Sequence, residues 1–328
     1  MLSRTELDRR TFMRLAGSTV AVGAATVTGA AGAAALPTTT AAGQGRRLVP
    51  PGKLGIQLYS IRDKVSSIGF RAVFERLAQL GYAEVEFAGY TQGGVGPITP
   101  QEIRGLLDDN GLAAVGSHRG IRDFATNMEA ELDIAQTLGM QHVGTANAPT
   151  NDRTVAGYLA AAEQFNGFGE AAAARGLKFY QHNHQHEFAF ANDDPAVRLY
   201  DVFLQNTDPQ TVFLEMDVFW AFVGRHLYPG FDPVEYVLAQ RSRYPLFHLK
   251  DGRVNPGSGN GYGIVEFGVG DIDYQSFLGA LAGSGRQHGI WEQDNAASVA
   301  EPPHPVDSLG NAGRSADAIL SLRAGRGA

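Results

Sequence analysis

The chain of 328 residues contains no cysteine. This excludes disulfides, thiolate metal sites, a cysteine nucleophile and a lipid anchor on a processed N-terminal cysteine, so any metal must be held by oxygen and nitrogen. There is no basic excess either: 27 Lys and Arg against 34 Asp and Glu give a formal charge of −7. A broad footprint for phosphate backbones is missing, and nucleic acid is not expected as a partner. Glycine-rich nucleotide fingerprints are absent where they would matter. Ile61–Ser66 follows the first strand-like run without the glycines of a dinucleotide turn, no P-loop occurs, and Gly93–Gly96 reads as a plain loop tip. What is present is ordinary for a globular protein with a sizeable core, with 44% hydrophobic and 19% charged residues.

The N-terminus differs from the rest. Asp8, Arg9, Arg10, Thr11, Phe12, Met13 and Arg14 precede an Ala/Gly/Val-rich stretch from Leu15 to Leu36, with small residues at Ala33 and Ala35. This resembles a twin-arginine signal peptide, which implies export of an already folded protein to a periplasmic, cell-envelope or extracellular location. The expected organisation is a signal over residues 1–36, a disordered linker over 37–52 and a folded domain over 53–328. A retained anchor is the competing reading, but Ala and Gly make the stretch only mildly apolar, and no stable membrane insertion is expected once the signal is cut. Residues 1–35 carry four Arg and two acids, so their removal leaves the remainder near −9.

From Leu54 onward, short apolar runs alternate with longer stretches of helical periodicity. Strands are expected at 54–59, 84–87, 113–117, 142–145, 177–183, 211–217, 246–250 and 289–294. Helices are expected at 70–80 (closed by Gly81), from Pro100, and near 124–138, 153–174, 195–205, 232–240, 273–283 and 306–324. Eight strand-helix units predict an α/β fold of the (β/α)8 TIM-barrel type in a single domain, with its active site at the C-terminal strand ends. An open doubly wound sheet is the runner-up.

Metal-ligating side chains recur at four of those ends. Glu187 and Asp217 are 30 residues apart, Asp217 and His248 are 31 apart, and Glu292 lies in the last strand. Two carboxylates, an imidazole and a further carboxylate suit Mn²⁺, Mg²⁺, Co²⁺ or Zn²⁺. Asp217 ends an apolar run, where an acid needs solvent or a partner, and Glu215 shares its strand face. The fifth strand offers His182, His184, His186 and Glu187, more than one ion can take; the surplus histidines could hold substrate or orient a ligand. Gln57, Glu86 and His118 end the first three strands and, with Lys250, would complete a polar cup suited to hydroxyl groups. Trp220 and Phe222 could supply an apolar face for a ring, with packing as the competing role.

The segments His182-Asn-His-Gln-His-Glu-Phe188, Met216-Asp-Val-Phe-Trp220, His248-Leu-Lys-Asp-Gly252 and Glu292-Gln-Asp294, with Gly55–Ser60 and Gly81–Phe87, resemble the sugar phosphate isomerase/epimerase family of xylose isomerase-like TIM barrels over roughly residues 53–325. The resemblance implies one divalent ion, commonly Mn²⁺, on a Glu-Asp-His-Glu quartet, for which Asp217, His248 and Glu292 match the last three positions. For the first position Glu187 is preferred on charge balance, with His182 as the alternative. It also implies proton abstraction next to a carbonyl through a metal-bound enediolate; Glu292 and a fifth-strand group, Glu187 or a histidine, are expected as acid and base, with the cup of His182, His184, Lys250, His118, Glu86, Gln57 and Trp220 around the sugar. The expected substrate is a non-phosphorylated or keto sugar. The alternatives are a β-eliminating lyase or hydrolase of 3-keto glycosides and a non-catalytic carbohydrate-binding barrel. A homo-oligomer is left open.

Overall fold

The computed structural model describes residues 45–282 and 287–324. The signal segment and the first half of the expected linker, residues 37–44, lie outside the described residues. Paired backbone is nevertheless present before residue 53: Leu48 N donates to Leu322 O at 3.1 Å, Ala324 N donates to Arg46 O at 2.8 Å, and Val49 is buried. Backbone pairing with the C-terminal segment holds these residues, although their local composition is that of a linker.

The strands are β1 (Leu54–Gln57), β2 (Glu84–Phe87), β3 (Ala113–Ser117), β4 (His142–Thr145), β5 (Lys178–His182), β6 (Val212–Asp217), β7 (Leu246–Leu249), β8 (Asp251–Val254), β9 (Tyr262–Val265) and β10 (His288–Trp291). All but β8 and β9 form one parallel sheet in the order β3-β2-β1-β10-β7-β6-β5-β4. Its two ends meet through a His118–Gly144 bridge and the Arg119 N–H, which donates to Gly144 O at 2.8 Å. The result is a nearly closed eight-stranded TIM barrel. β8 and β9 make an antiparallel hairpin that the sequence reading does not contain.

Helices α1 (Arg62–Gln79), α2 (Pro100–Asp109), α3 (Ile121–Leu138), α4 (Val155–Ala174), α5 (Leu199–Asn206), α6 (Val218–Leu227), α7 (Pro233–Ala239), α8 (Tyr274–Leu281) and α9 (Ser308–Ser321) surround it. None of them is long and apolar enough to cross a membrane among the described residues. The start of α2 is encoded locally, with Thr99 and Glu102 forming a reciprocal capping box and Pro100 in the first turn. α1 starts eight residues before the expected Phe70 because its two parts join across Gly69, whose φ of 77° suits glycine. A side chain there would also meet Gln92 Oε1 at 2.8 Å.

Alternation sorts the barrel interior into layers. On β6, Val212, Leu214 and Met216 join the main core beneath the helices, while Glu215 and Asp217 point inward. Val115, Tyr180, Leu246 and Ile290 form a small separate apolar cluster, a waist across the barrel interior. Polar and charged residues lie on both sides of that waist.

Candidate active site and metal centre

Strand register builds the upper layer. Asp217 pairs with His248, Ile290 pairs with His248, and His182 is level with Glu215. Glu292 follows β10 directly, so its side chain reaches the same level. Four atoms from these elements converge. His248 Nδ1 lies 2.8 Å from Glu292 Oε2, 3.1 Å from His182 Nε2 and 3.9 Å from Asp217 Oδ2. His182 Nε2 lies 3.6 Å from Asp217 Oδ2 and 4.0 Å from Glu292 Oε2. All four residues are buried.

These spacings fit a single ion. Four ligands about 2.1 Å from one tetrahedral centre stand roughly 3.4 Å apart, in the middle of the range found here. His182 Nδ1 is buried without a hydrogen-bond partner, and Asp217 Oδ2 is buried with the Lys250 ammonium as its ion-pair partner. Two imidazoles with two carboxylates form a donor set suited to Zn²⁺, Mn²⁺ or Co²⁺.

Asp217 holds two jobs because β6 runs straight into α6. Its Oδ1 accepts from Trp220 N at 2.9 Å and caps the helix, which leaves Oδ2 for the ring. Burial raises its carboxyl to about 6, against the opposing pull of Lys250 and His248. Lys250 enters the same layer. Its Nζ lies 2.8 Å from Glu292 Oε2 and 3.0 Å from both Asp217 Oδ2 and Asp294 Oδ2. Burial works against this ammonium, but the three carboxylates hold its pKa well above the ordinary value.

Buried carboxylates support the ring from beneath. His248 Nε2 lies 2.6 Å from Glu86 Oε2, and Glu86 is also bonded by Gln57 Nε2 at 2.9 Å and by the Tyr180 hydroxyl. His118 Nε2 contacts Glu215 Oε2 at 2.7 Å. Burial alone would lower His248, but Glu215, Glu292 and Glu86 raise it well above its ordinary value. Burial would likewise raise Glu215, and His248 and His118 instead bring it down to about 2. Carboxylates that orient a ligating imidazole through its other nitrogen are a recurrent arrangement around metals. Burial pushes His182 well down, so its ring is neutral with a lone pair to offer.

Glu187, the preferred first ligand from the sequence, is placed elsewhere. The chain leaves β5 and enters a 3₁₀ turn, Gln185–Phe188, in which Glu187 Oε2 accepts from His184 N at 2.9 Å and Oε1 lies 3.2 Å from His186 Nε2. Capping that turn holds it in a separate group with His184 and His186, and His182 stands with Asp217, His248 and Glu292 instead. His184 is next to His182 and Trp220, at ring separations of 5.0 and 5.8 Å, and burial lowers it to about 4. Trp220 also has the Lys250 ammonium 5.3 Å from its ring centre. Phe222 packs away from the site, against Phe277 and beneath Arg225. Gln57, Glu86 and His118 lie beneath the ring, in contact with its supports.

Sequence reasoning passed over Tyr180 and Asp294. Each had a signal, since each sits two residues from a ring member, His182 and Glu292, and so shares its face. The β8–β9 hairpin is fixed beside Lys250 by Asp251, whose buried carboxylate accepts from Gly252 N (2.8 Å), Gly268 N (2.9 Å) and Gly270 N (3.1 Å).

A sequence profile described as xylose isomerase-like TIM barrel matches residues 74–312. No curated protein matches at a significant level. Among solved structures, a sugar phosphate isomerase/epimerase from Parabacteroides distasonis superposes with a TM-score of 0.65 at 22% identity, covering 88% of this chain and 100% of its own. The IOLI protein, solved with a zinc atom bound, gives 0.59 at 14% identity over 83% and 99%. The probable 3-DHS dehydratase AsbF of Bacillus anthracis gives 0.56 at 13% identity over 81% and 97%. At these identities the structural likenesses establish the fold.

Proposed function

The chain belongs to the xylose isomerase-like TIM barrel family, and from that premise we propose that it is a divalent-metal-dependent sugar isomerase or epimerase that moves a proton next to a carbonyl. The observation that carries this reading is the convergence of His182, Asp217, His248 and Glu292 at the C-terminal mouth, with Glu86 behind His248. These four residues would hold the ion. When bound, a divalent ion supplies Lewis-acid polarisation of a substrate carbonyl and its neighbouring hydroxyl, which eases formation of an enediolate.

The chain's own groups do the rest. Glu86, fixed by Gln57 and Tyr180, holds the proton on His248 Nε2, so the proton a metal would displace from this raised imidazole is the one on Nδ1, which faces the ring. Lys250 carries a permanent positive charge among Asp217, Glu292 and Asp294 and donates to a substrate oxygen that becomes negative. Glu292, on the β10 side, handles the proton. Half-buried Trp220 offers a ring face beside the site. The histidines aside, Lys250 is the one cation ion-paired with the ring among the described residues, which favours a non-phosphorylated or keto sugar. The twin-arginine segment carries the protein, metal loaded, out of the cytoplasm.

Solvent deuterium exchange tests the reading. Purified protein with Mn²⁺ or Zn²⁺ incorporates deuterium beside the carbonyl of a keto or aldose substrate, and Glu292→Gln abolishes it. A protein that binds sugars and metal but exchanges no proton would be a binding barrel instead.

A further inference from the structure

A second polar layer lies at the opposite end of the barrel, below the apolar waist. His288 and Glu84 open β10 and β2, and both are buried, with His288 Nδ1 2.6 Å from Glu84 Oε2. Lys53 Nζ stands 3.2 Å from His288 Nε2 and 3.7 Å from Glu84 Oε1. His142 opens β4 and is 1% exposed. Its Nδ1 donates to Val115 O at 3.1 Å, which fixes the tautomer and leaves Nε2 as a buried acceptor without a partner. Burial pushes this ring down to about 4, so it is neutral at pH 7.

Lys53, His142 and His288 line a cavity of about 730 Å³ together with Lys178, Phe213 and Arg241. The volume is that of a small-molecule site. Its lining includes three cations and no carboxylate, and Glu84 behind His288 offsets one of them. Lys178 and Arg241 contact no carboxylate among the described residues. Lys178 Nζ lies 5.3 Å from the Phe213 ring centre, and Arg241 donates to Ala280 O and Leu281 O at 3.3 and 3.5 Å, bonds that leave its charge unneutralised. A concave surface with an excess of positive charge concentrates anions, even on an acidic protein. A buried lone pair at its wall asks for a donor.

We propose that this floor cavity binds a small hydroxylated dianion, a phosphate monoester or a hydroxy-dicarboxylate, with Lys178 and Arg241 taking the charge and His142 Nε2 accepting from a ligand hydroxyl. The waist of Val115, Tyr180, Leu246 and Ile290 separates it from the metal layer. Occupancy acts on the barrel rather than on the reacting atoms, because β5 and β10 begin at this cavity and lead to His182 and Glu292.

The test is thermal unfolding of the full chain with glycerol phosphate, malate or sodium chloride at matched ionic strength, each with and without added divalent metal. One or both dianions raise the melting temperature saturably, by about 5 °C at a hundredfold excess over Kd. The better of the two identifies the head group. Chloride does not raise it, and the rise is the same with and without metal. The exposed pair substituted as Lys178→Ala/Arg241→Ala weakens binding at least tenfold, and Lys178→Arg/Arg241→Lys retains it. An equal rise with chloride, an equal rise in the alanine double variant, or a rise that requires the metal would overturn the proposal. None of these readouts depends on turnover, so the floor site and the isomerase reading stand or fall separately.

Discussion

The Lys250 ammonium lies 3.0 Å from Asp217 Oδ2, inside the ring of residues proposed to hold a divalent ion. A cation at that distance competes with a metal for the same carboxylates. Lys250→Met is expected to bind Zn²⁺ or Mn²⁺ at least tenfold more tightly in calorimetric titration. Turnover is expected to fall by about a hundredfold or more, because the substrate oxygen loses its donor. Unchanged or weaker metal binding would show that ammonium and ion do not share the ring.

The fifth-strand ligand can be decided by elemental analysis. His182→Ala should lose bound metal by at least tenfold, and Glu187→Gln should keep it, since the amide oxygen can still cap the turn at His184. Asp217→Asn retains the acceptor that caps α6, so its expected loss of metal reports on ligation rather than on folding. Metal retained in His182→Ala and lost in Glu187→Gln would reverse the assignment.

His142 makes stability depend on pH. Its pKa moves from an ordinary 6.5 when unfolded to about 4 when buried, so between those values the unfolded chain takes up a proton that the folded chain refuses. Its contribution is complete above pH 6.5 and is lost as pH falls toward 4, in total on the order of 3 kcal/mol. His182 and His184 add slope of the same sign and His248 opposes it. The measurement is therefore the difference between wild type and His142→Gln in urea unfolding across this window. Parallel curves would remove the argument.

Away from the site, Arg243 is buried and joins two elements. Its guanidinium donates to Leu204 O at 2.8 Å, Thr207 Oγ1 at 2.7 Å and Val212 O at 3.1 Å, tying the end of α5 to the start of β6. Arg243→Met leaves those acceptors dry and is expected to cost about 3 kcal/mol in urea unfolding, with metal affinity unchanged.

The barrel was legible because alternation is a local signal, and Glu215/Asp217 or His248/Lys250 fall on the inner face by counting in twos. The limits are equally local. Alternation of His182, His184 and His186 continues in the sequence after the strand has ended, so nothing marks Asn183 and His184 as the point where the chain turns into a 3₁₀ helix and withdraws Glu187. α6 escaped notice because Asp217 serves at once as last strand residue and helix cap, with no glycine or proline at the joint. The Glu86–His248–Glu292 chain joins residues 162 and 44 positions apart, and only closure of the barrel brings them together.

The Asp251 clamp divides the labour of this mouth. One carboxylate closes the excursion from Gly252 to Gly270 onto its own base, next to the lysine, so residues 255–261 form an exchangeable cassette. A change of length or side chain within them would leave Lys250 where it stands.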